Sequence, residues 1–377
     1  MKQVRIGLIG TGYMGKAHTI AYRTASAVFP LSGEIVCEML AEVDTQLAAA
    51  RAGEFGFKRS TGDWQTLVSD PDIDVVDICA PNFLHKEMAL AAIAAGKYVY
   101  SEKPLALNAA DALEMTEAAE AAGVTTLVGF NYMKNPTVQL AKEIISNGEI
   151  GDVVHFRGTF NEDYLADEQL PFTWRLQRKF SGSGTLGDMG SHIINMEEFI
   201  VSPITQVCAD LQTVHRQRPL PDQPGSTGTV ENDDQAHMMV RFANGAIGTL
   251  ESSRIAWGRK NGLWFEVTGT RGSLIYDQER LSELQLYTAD DASNRQGFRR
   301  ILTGPEHPDY AHFCVSAGHG LGFNDMKAVE VRDLIEGILT DNPMWPDFRA
   351  AYEVNRLQDA VEQSHAEGRW ITLNRHE

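Results

Sequence analysis

Basic side chains are in short supply in this chain. Its 33 Lys and Arg stand against 51 Asp and Glu, for a formal net charge of -18. A nucleic acid or an anionic membrane calls for a basic surface, so this balance argues against both as partners. It leaves a local site for a small anion untouched. Cysteine is scarce too: Cys37, Cys79, Cys208 and Cys314 are scattered without metal-ligand spacing. Cys37 and Cys79 fall inside apolar runs that read as strands. Buried, reduced thiols are expected, and with them a cytoplasmic setting and no metal. Long apolar runs are missing, and none approaches the length of a membrane span. Met1-Lys2-Gln3 leads into a short apolar stretch that ends in glycines. It has neither the length nor the small-residue cleavage site of a secretion signal. Internal repeats and low-complexity tracts are also lacking. What remains is an ordinary globular composition, 43% hydrophobic and 22% charged, on 377 residues. That length is comfortable for two domains.

The first third alternates strand and helix. Val4 to Ile9 reads as a buried strand, and Lys16 to Ala25 as a helix. Between them lies Gly10-Thr11-Gly12-Tyr13-Met14-Gly15, a G-x-G-x-x-G in the context of strand, turn and helix that a dinucleotide site requires. Gly10 permits the tight turn, Gly12 lets a pyrophosphate approach the backbone, and Gly15 lets helix and strand pack closely. Glu42 ends the next strand, Glu34 to Ala41. A carboxylate there accepts both ribose hydroxyls and repels a 2′-phosphate, which favours NAD over NADP. Glu42 stands 27 positions beyond Gly15, and a loop over 26–33 accounts for the excess. Asp44 is the other choice for that contact, although it also suits the cap of a helix over 45–52. Strands over 73–80, 97–100 and 125–130 alternate with helices over 63–69, 84–95 and 109–122. The pattern predicts a doubly wound parallel sheet. Gly10 to Gly15, Glu42, Ala80-Pro81-Asn82, Glu102-Lys103-Pro104 and Asn131 all fall at carboxyl ends of strands, where such sheets bind ligands.

Lys103 lies between Glu102 and Pro104 at a strand end. Held there, its ammonium can stabilise a developing alkoxide, and a cis bond at Pro104 would fix its aim. By residue type alone it also suits a surface lysine paired with Glu102. Further on, Gly182 to His192 runs through glycines to Asp188, with His192 four positions later. If Asp188 opens a helix, the carboxylate and imidazole share a face, and such a histidine can take a proton from a hydroxyl. A solvated helix face explains the same spacing.

Together these segments resemble the Gfo/Idh/MocA family of NAD(P)-dependent sugar and polyol oxidoreductases. The matching residues are the N-terminal G-x-G-x-x-G, Ala80-Pro81-Asn82 with His85, Glu102-Lys103-Pro104, Gly129-Phe130-Asn131-Tyr132, and Gly184 to His192. Phe156 to Thr159, Trp174-Arg175 and the segment 304–325 are similar to the branch that holds levoglucosan and scyllo-inositol (L-glucose) dehydrogenases. The resemblance implies an α/β chain: a Rossmann domain over 1–131, then a substrate and oligomerisation domain over 132–377 with a large, mainly antiparallel, open sheet. It implies that Lys103 contacts the reacting hydroxyl, that Asp188 binds substrate hydroxyls, and that His192 is the acid/base. Cofactor contacts extend to Ala80, Pro81, Asn82, His85, Glu102, Asn131, Trp174 and Arg175, and substrate contacts to Tyr132, Asp163 and Asn195. Many relatives carry Asp at the position of Asn195, which leaves the substrate open. A glycoside-cleaving enzyme that retains NAD, or a nucleotide-sensing protein without catalysis, are the alternatives.

The remainder reads as strands over 153–160, 204–215, 235–242, 246–254, 263–269, 273–277 and 283–288. The later ones suggest a meander with hairpin turns at Asn244-Gly245 and Arg271-Gly272. Residues 219–229 read as an exposed excursion. Asp163, Tyr164 and Asp167 sit in an irregular polar stretch suited to sugar hydroxyls or to plain solvation. Trp174 suits a pocket wall or core, and Arg175 a ligand contact or a surface ion pair. Met239 and Ile247 point to a sheet face that meets a second subunit, so a homo-oligomer is expected. The histidines at 307, 312 and 319 match no metal spacing, and a loop beside the substrate is expected there.

Overall fold

The computed structural model describes residues 2–373; Met1 and residues 374–377, the outer ends of the two expected domains, lie outside them. The chain forms two compact units, one of Met1–Lys134 with Gly322–Glu353, the other of Asn135–Leu321 with Val354–Glu377. A single boundary after residue 131 therefore misses the return of 322–353 to the first unit. The reason is packing: the helix Phe323–Thr340 runs along the first helix of the chain. Leu339 also fills the space in which Gly33 would carry a side chain.

The first unit holds six strands, β1 (Lys2–Ile9), β2 (Gly33–Ala41), β3 (Arg59–Thr61), β4 (Val75–Ile78), β5 (Tyr98–Ser101) and β6 (Thr126–Val128). They form one parallel sheet in the order β3-β2-β1-β4-β5-β6. Helices α1 (Tyr13–Val28), α2 (Thr45–Phe55), α3 (Trp64–Ser69), α4 (His85–Ala94) and α5 (Ala109–Ala122) connect them. Central strands are buried on both faces, as Ile6, Leu8, Val75, Val76 and Ile78 show. The order reverses between β1 and β4, and ligands of such sheets bind at that crevice, at the strands' carboxyl ends. Local chemistry fixes the helix starts. Asp44 accepts from the Leu47 amide, Asp63 from Gln65 and Thr66, and Asn108 from Asp111. Asp44 is thus occupied as a cap.

The second unit is built on a nine-stranded sheet. Its strands are β7 (Val153–Asn161), β8 (Ile204–Gln212), then, after the separate ribbon β9 (Gln217–Pro219) and β10 (Thr227–Thr229), β11 (Gln235–Phe242), β12 (Ile247–Ser253), β13 (Gly262–Gly269), β14 (Gly272–Asp277), β15 (Glu283–Thr288), β16 (Arg299–Leu302) and β17 (Ile371–Thr372). The order is β16-β15-β14-β13-β7-β12-β11-β8-β17. The expected meander is interrupted: β7 lies between β12 and β13, parallel to the first and antiparallel to the second. The fully buried Phe156 of β7 stacks with Phe265 of β13 and meets Phe242 of β11 edge-on, so the earliest strand supplies the middle of the core. The excursion over 219–229 closes as the β9–β10 ribbon.

Alternation along β11 buries Ala236, Met238, Val240 and Phe242 and turns His237, Met239 and Arg241 outward. The outward face carries Met239 and Ile247, half or more exposed at 50% and 56%. Arg157, Thr159, Asp210, His237 and Trp264 line a shallow groove on it. No helix among the described residues is long and apolar enough to cross a membrane.

Candidate active site

At the carboxyl edge of the parallel sheet, Gly10 adopts φ 93°, a conformation open to glycine. A Cβ on Gly15 would lie 2.1 Å from the Gly10 carbonyl oxygen, so the helix packs where only glycine fits. At Gly12 a Cβ would meet nothing within 4 Å, and the start of α1 has no side-chain cap. Open backbone at an uncapped helix N-terminus is what a pyrophosphate requires. Glu42 accepts the Thr11 amide at 2.8 Å and its hydroxyl at 2.6 Å, which ties the second strand's carboxylate to the glycine loop. Tyr13 and Met14 open α1, and Tyr13 projects outward to stack with Phe323 at 5.8 Å. Tyr132 meets the same ring edge-on at 6.1 Å. The amide nitrogen of Asn131 is buried without an acceptor among the described residues. These features fit an NAD molecule lying across the strand ends.

Two expected cofactor residues turn their side chains inward. Both ring nitrogens of His85 face backbone carbonyls, Pro104 at 2.9 Å and Ala80 at 2.9 Å. It therefore braces the Ala80-Pro81-Asn82 turn against the Glu102-Lys103-Pro104 turn. Burial pushes its pKa down. Glu102 is 4% exposed and accepts the Lys327 ammonium at 2.7 Å, a His18 ring nitrogen at 2.8 Å and the Lys103 amide at 3.2 Å. The Lys103–Pro104 bond is cis.

Beneath this turn lies a buried charged cluster that no motif announces. His18 contacts Asp77 at 2.9 Å through its other nitrogen, and Tyr22 donates to Asp77 at 2.7 Å. Lys327 also reaches Glu330 at 3.0 Å and Tyr100 at 3.2 Å, and Tyr100 donates to Glu330. Burial alone would raise the Glu102 pKa, but the Lys327 charge and the His18 contact hold it far below the carboxylate range. Burial likewise opposes charge on Lys327 and His18. Glu102 and Glu330 nevertheless raise the lysine, and Asp77 and Glu102 raise the histidine. Among the described residues, His18, Asp77 and Cys79 are a group close enough to hold a metal, yet they already bond to one another. All four cysteines are free thiols, and burial pushes Cys37 up to about 11.

In the second unit, the chain does not start its helix at Asp188. A π-helical turn, Leu186–Gly190, leads without a break into the α-helix Ser191–Ile200. Asp188 therefore lies in the π turn and His192 in the first turn of the α-helix that continues it. The turn is anchored from a distance. Asp233 accepts the Gly184 amide at 2.7 Å and the Leu186 amide at 2.8 Å, and its own carbonyl accepts Thr185 at 2.9 Å. A Cβ on Gly184 would lie 1.9 Å from that carbonyl oxygen. On either side, Asn232 bonds the Arg175 carbonyl and Ser181, and Asp234 pairs with the buried Arg254 at 2.9 Å. The run Asn232-Asp233-Asp234 was assigned no role from the sequence. Its capping role was hidden because the turn it caps begins at Leu186, 47 residues before Asp233.

Tyr164 donates to Asp188 at 2.8 Å. His192 is 7% exposed and packs edge-on against Phe160. Asn195 is buried, with its amide nitrogen lacking an acceptor among the described residues. Asp163 is engaged by Lys260 at 2.6 Å and the Gly258 amide at 3.0 Å, so its carboxylate is committed to the turn before β13. Arg175 lies over the Trp174 ring at 4.4 Å, a stacked pair where a core residue beside an ion pair was one expectation. In the 304–325 segment, Tyr310 is fully buried and bonds the His319 carbonyl at 2.5 Å, which orders the loop.

Residues 4–130 match the oxidoreductase family with an NAD-binding Rossmann fold, and residues 138–275 match the GFO/IDH/MocA C-terminal domain. The chain is 40% identical over 385 aligned positions to levoglucosan dehydrogenase of Pseudarthrobacter phenanthrenivorans, with 99% of each chain covered. It superposes on a levoglucosan dehydrogenase solved with NADH and levoglucosan at a TM-score of 0.96 and 40% identity, covering 99% of this chain and 100% of that one. An NAD-binding oxidoreductase from Klebsiella pneumoniae is similar at a TM-score of 0.96 and 45% identity, with 100% of both chains covered. The glycine turn with its open helix N-terminus, the Glu-Lys-Pro turn and the anchored Asp188–His192 helix thus lie in a chain that belongs to the GFO/IDH/MocA family of oxidoreductases, with an NAD-binding Rossmann domain.

Proposed function

We propose that this protein oxidises a secondary hydroxyl of a sugar, anhydrosugar or cyclitol, with NAD⁺ as acceptor. The observation that carries the reading is the Leu186–Gly190 turn, which sets Asp188 four residues before His192 at a helix start locked by Asp233. Full-length likeness to levoglucosan dehydrogenase supports an anhydrosugar or a related ring as substrate. His192 takes the hydroxyl proton. Lys103 stabilises the alkoxide that forms. Asp188, fixed by Tyr164, orients the hydroxyl, and Asn195 offers an amide where a carboxylate would only accept. Bound NAD⁺ supplies the hydride acceptor. Gly10, Gly12, Gly15, Glu42, Ala80 to Asn82 and Asn131 hold it, and Glu42 selects against a 2′-phosphate. Free thiols suit a cytoplasmic location, and the exposed Met239–Ile247 face suits a homo-oligomer. A screen of NAD⁺ and NADP⁺ reduction across anhydrosugars, inositols, aldoses and glycosides tests the reading. NADH formation with a free sugar supports it. Glycoside cleavage without net NADH contradicts it.

A further inference from the structure

We propose that Lys327, acting with His18 through Glu102, is a positioning residue for Lys103. The inference rests on the reading of Lys103 given above and adds a residue that lies outside both matched family segments. Glu102 spends one oxygen on two buried partners, the Lys327 ammonium at 2.7 Å and a His18 ring nitrogen at 2.8 Å, and the other on the backbone amide of Lys103. Its carboxylate is therefore aimed from below while it restrains the residue that follows. Little room exists for another arrangement. A Cβ on Gly129 would lie 2.4 Å from the Glu102 oxygen and 3.0 Å from the Lys327 nitrogen. Both partners are themselves fixed. Lys327 is fully buried against Glu330 and Tyr100, and His18 is held by Asp77 and stacked on Tyr100 at 4.5 Å. On the far side, His85 fastens the Pro104 carbonyl. The lysine thus stands on a turn clamped at both neighbours, with one clamp made of buried charges.

Such a network also stabilises the fold, so the test must separate positioning from stability. Lys327→Met leaves both Glu102 and Glu330 buried without their cation, whereas adding Glu102→Gln removes one of those two carboxylates and leaves Glu330 alone. The expected result is a double variant whose Tm returns toward wild type while kcat stays about 10²-fold down, the scale of a misplaced catalytic group. The Kd for NAD⁺, read by fluorescence titration, stays within about threefold, since uniform binding is not what is lost. Recovery of kcat together with Tm overturns the proposal and makes the network purely structural. Should Lys327→Met not fold, the isosteric Glu102→Gln carries the same readings: unchanged kcat overturns the clamp, and a fall with NAD⁺ affinity intact supports it. Lys103→Ala is measured alongside. An active Lys103→Ala overturns the reading on which the clamp rests. An inactive Lys103→Ala beside a fully active Lys327→Met overturns the clamp alone.

Discussion

The two units hold the side chains proposed to react by different means. In the first, Lys103 sits on a turn restrained through Glu102 by buried charges from α1 and from the helix Phe323–Thr340. In the second, Asp188 and His192 ride on a helix start whose amides are gathered by one carboxylate, Asp233. A charge network responds to loss of a charge and to pH, because an unpaired ion in low dielectric is costly. An amide clamp responds to geometry, because its donors have no other acceptor once buried. The difference predicts distinct failures in the two regions.

The largest effects concern the groups proposed to react. His192→Ala should lower kcat by about 10²–10⁴-fold, the usual contribution of a positioned acid/base, with an unchanged circular dichroism spectrum. Turnover close to wild type would remove His192 from the mechanism. Next is the charge network: Lys327→Met should destabilise the protein by about 3–5 kcal/mol, because Glu102 and Glu330 are left buried without their cation. Denaturant unfolding measures this, and a loss under 1 kcal/mol would mean that the cluster is hydrated. Asp233→Ala should cost about 1.5–3 kcal/mol in the same measurement, as amides lose a charged acceptor. Glu42→Ala should weaken NAD⁺ about tenfold, the order of a lost charged hydrogen bond, and narrow the gap to NADP⁺; an unchanged NAD⁺/NADP⁺ ratio would shift ribose recognition elsewhere.

A smaller effect is an acid slope. The Glu102 pKa is depressed in the folded state from its ordinary 4.5. Its contribution is therefore present above that value and lost as pH falls below it. Wild-type Tm should drop more steeply below pH 4.5 than that of Glu102→Gln; parallel slopes would show that the carboxylate keeps an ordinary pKa.

Much of the first unit was legible in the sequence because its signals are local. The glycines at 10, 12 and 15, the Asp44 cap and the helix Ala109–Ala122 each depend on neighbours a few residues away. What stayed hidden depends on distant pairing. Lys327 and Glu330 are spaced like an ordinary pair on a solvated helix face, yet both are fully buried. Nothing in the run 232–234 shows that it caps a helix from the far side of several strands. The place of β7 between β12 and β13 follows from core packing around Phe156, which adjacent-strand reasoning does not capture. Inward-facing Glu102 and His85 teach the same lesson: a motif identifies the turn, while burial decides which of its side chains face the ligand.

The most direct test of the proposed chemistry is a progress curve at 340 nm, with NAD⁺ and a panel of anhydrosugars and cyclitols, for the wild-type protein beside His192→Ala and Lys103→Ala. The account predicts NADH in proportion to sugar oxidised by the wild type and almost none from either variant. Release of an aglycone with no net NADH, or a wild-type rate from either variant, would contradict it.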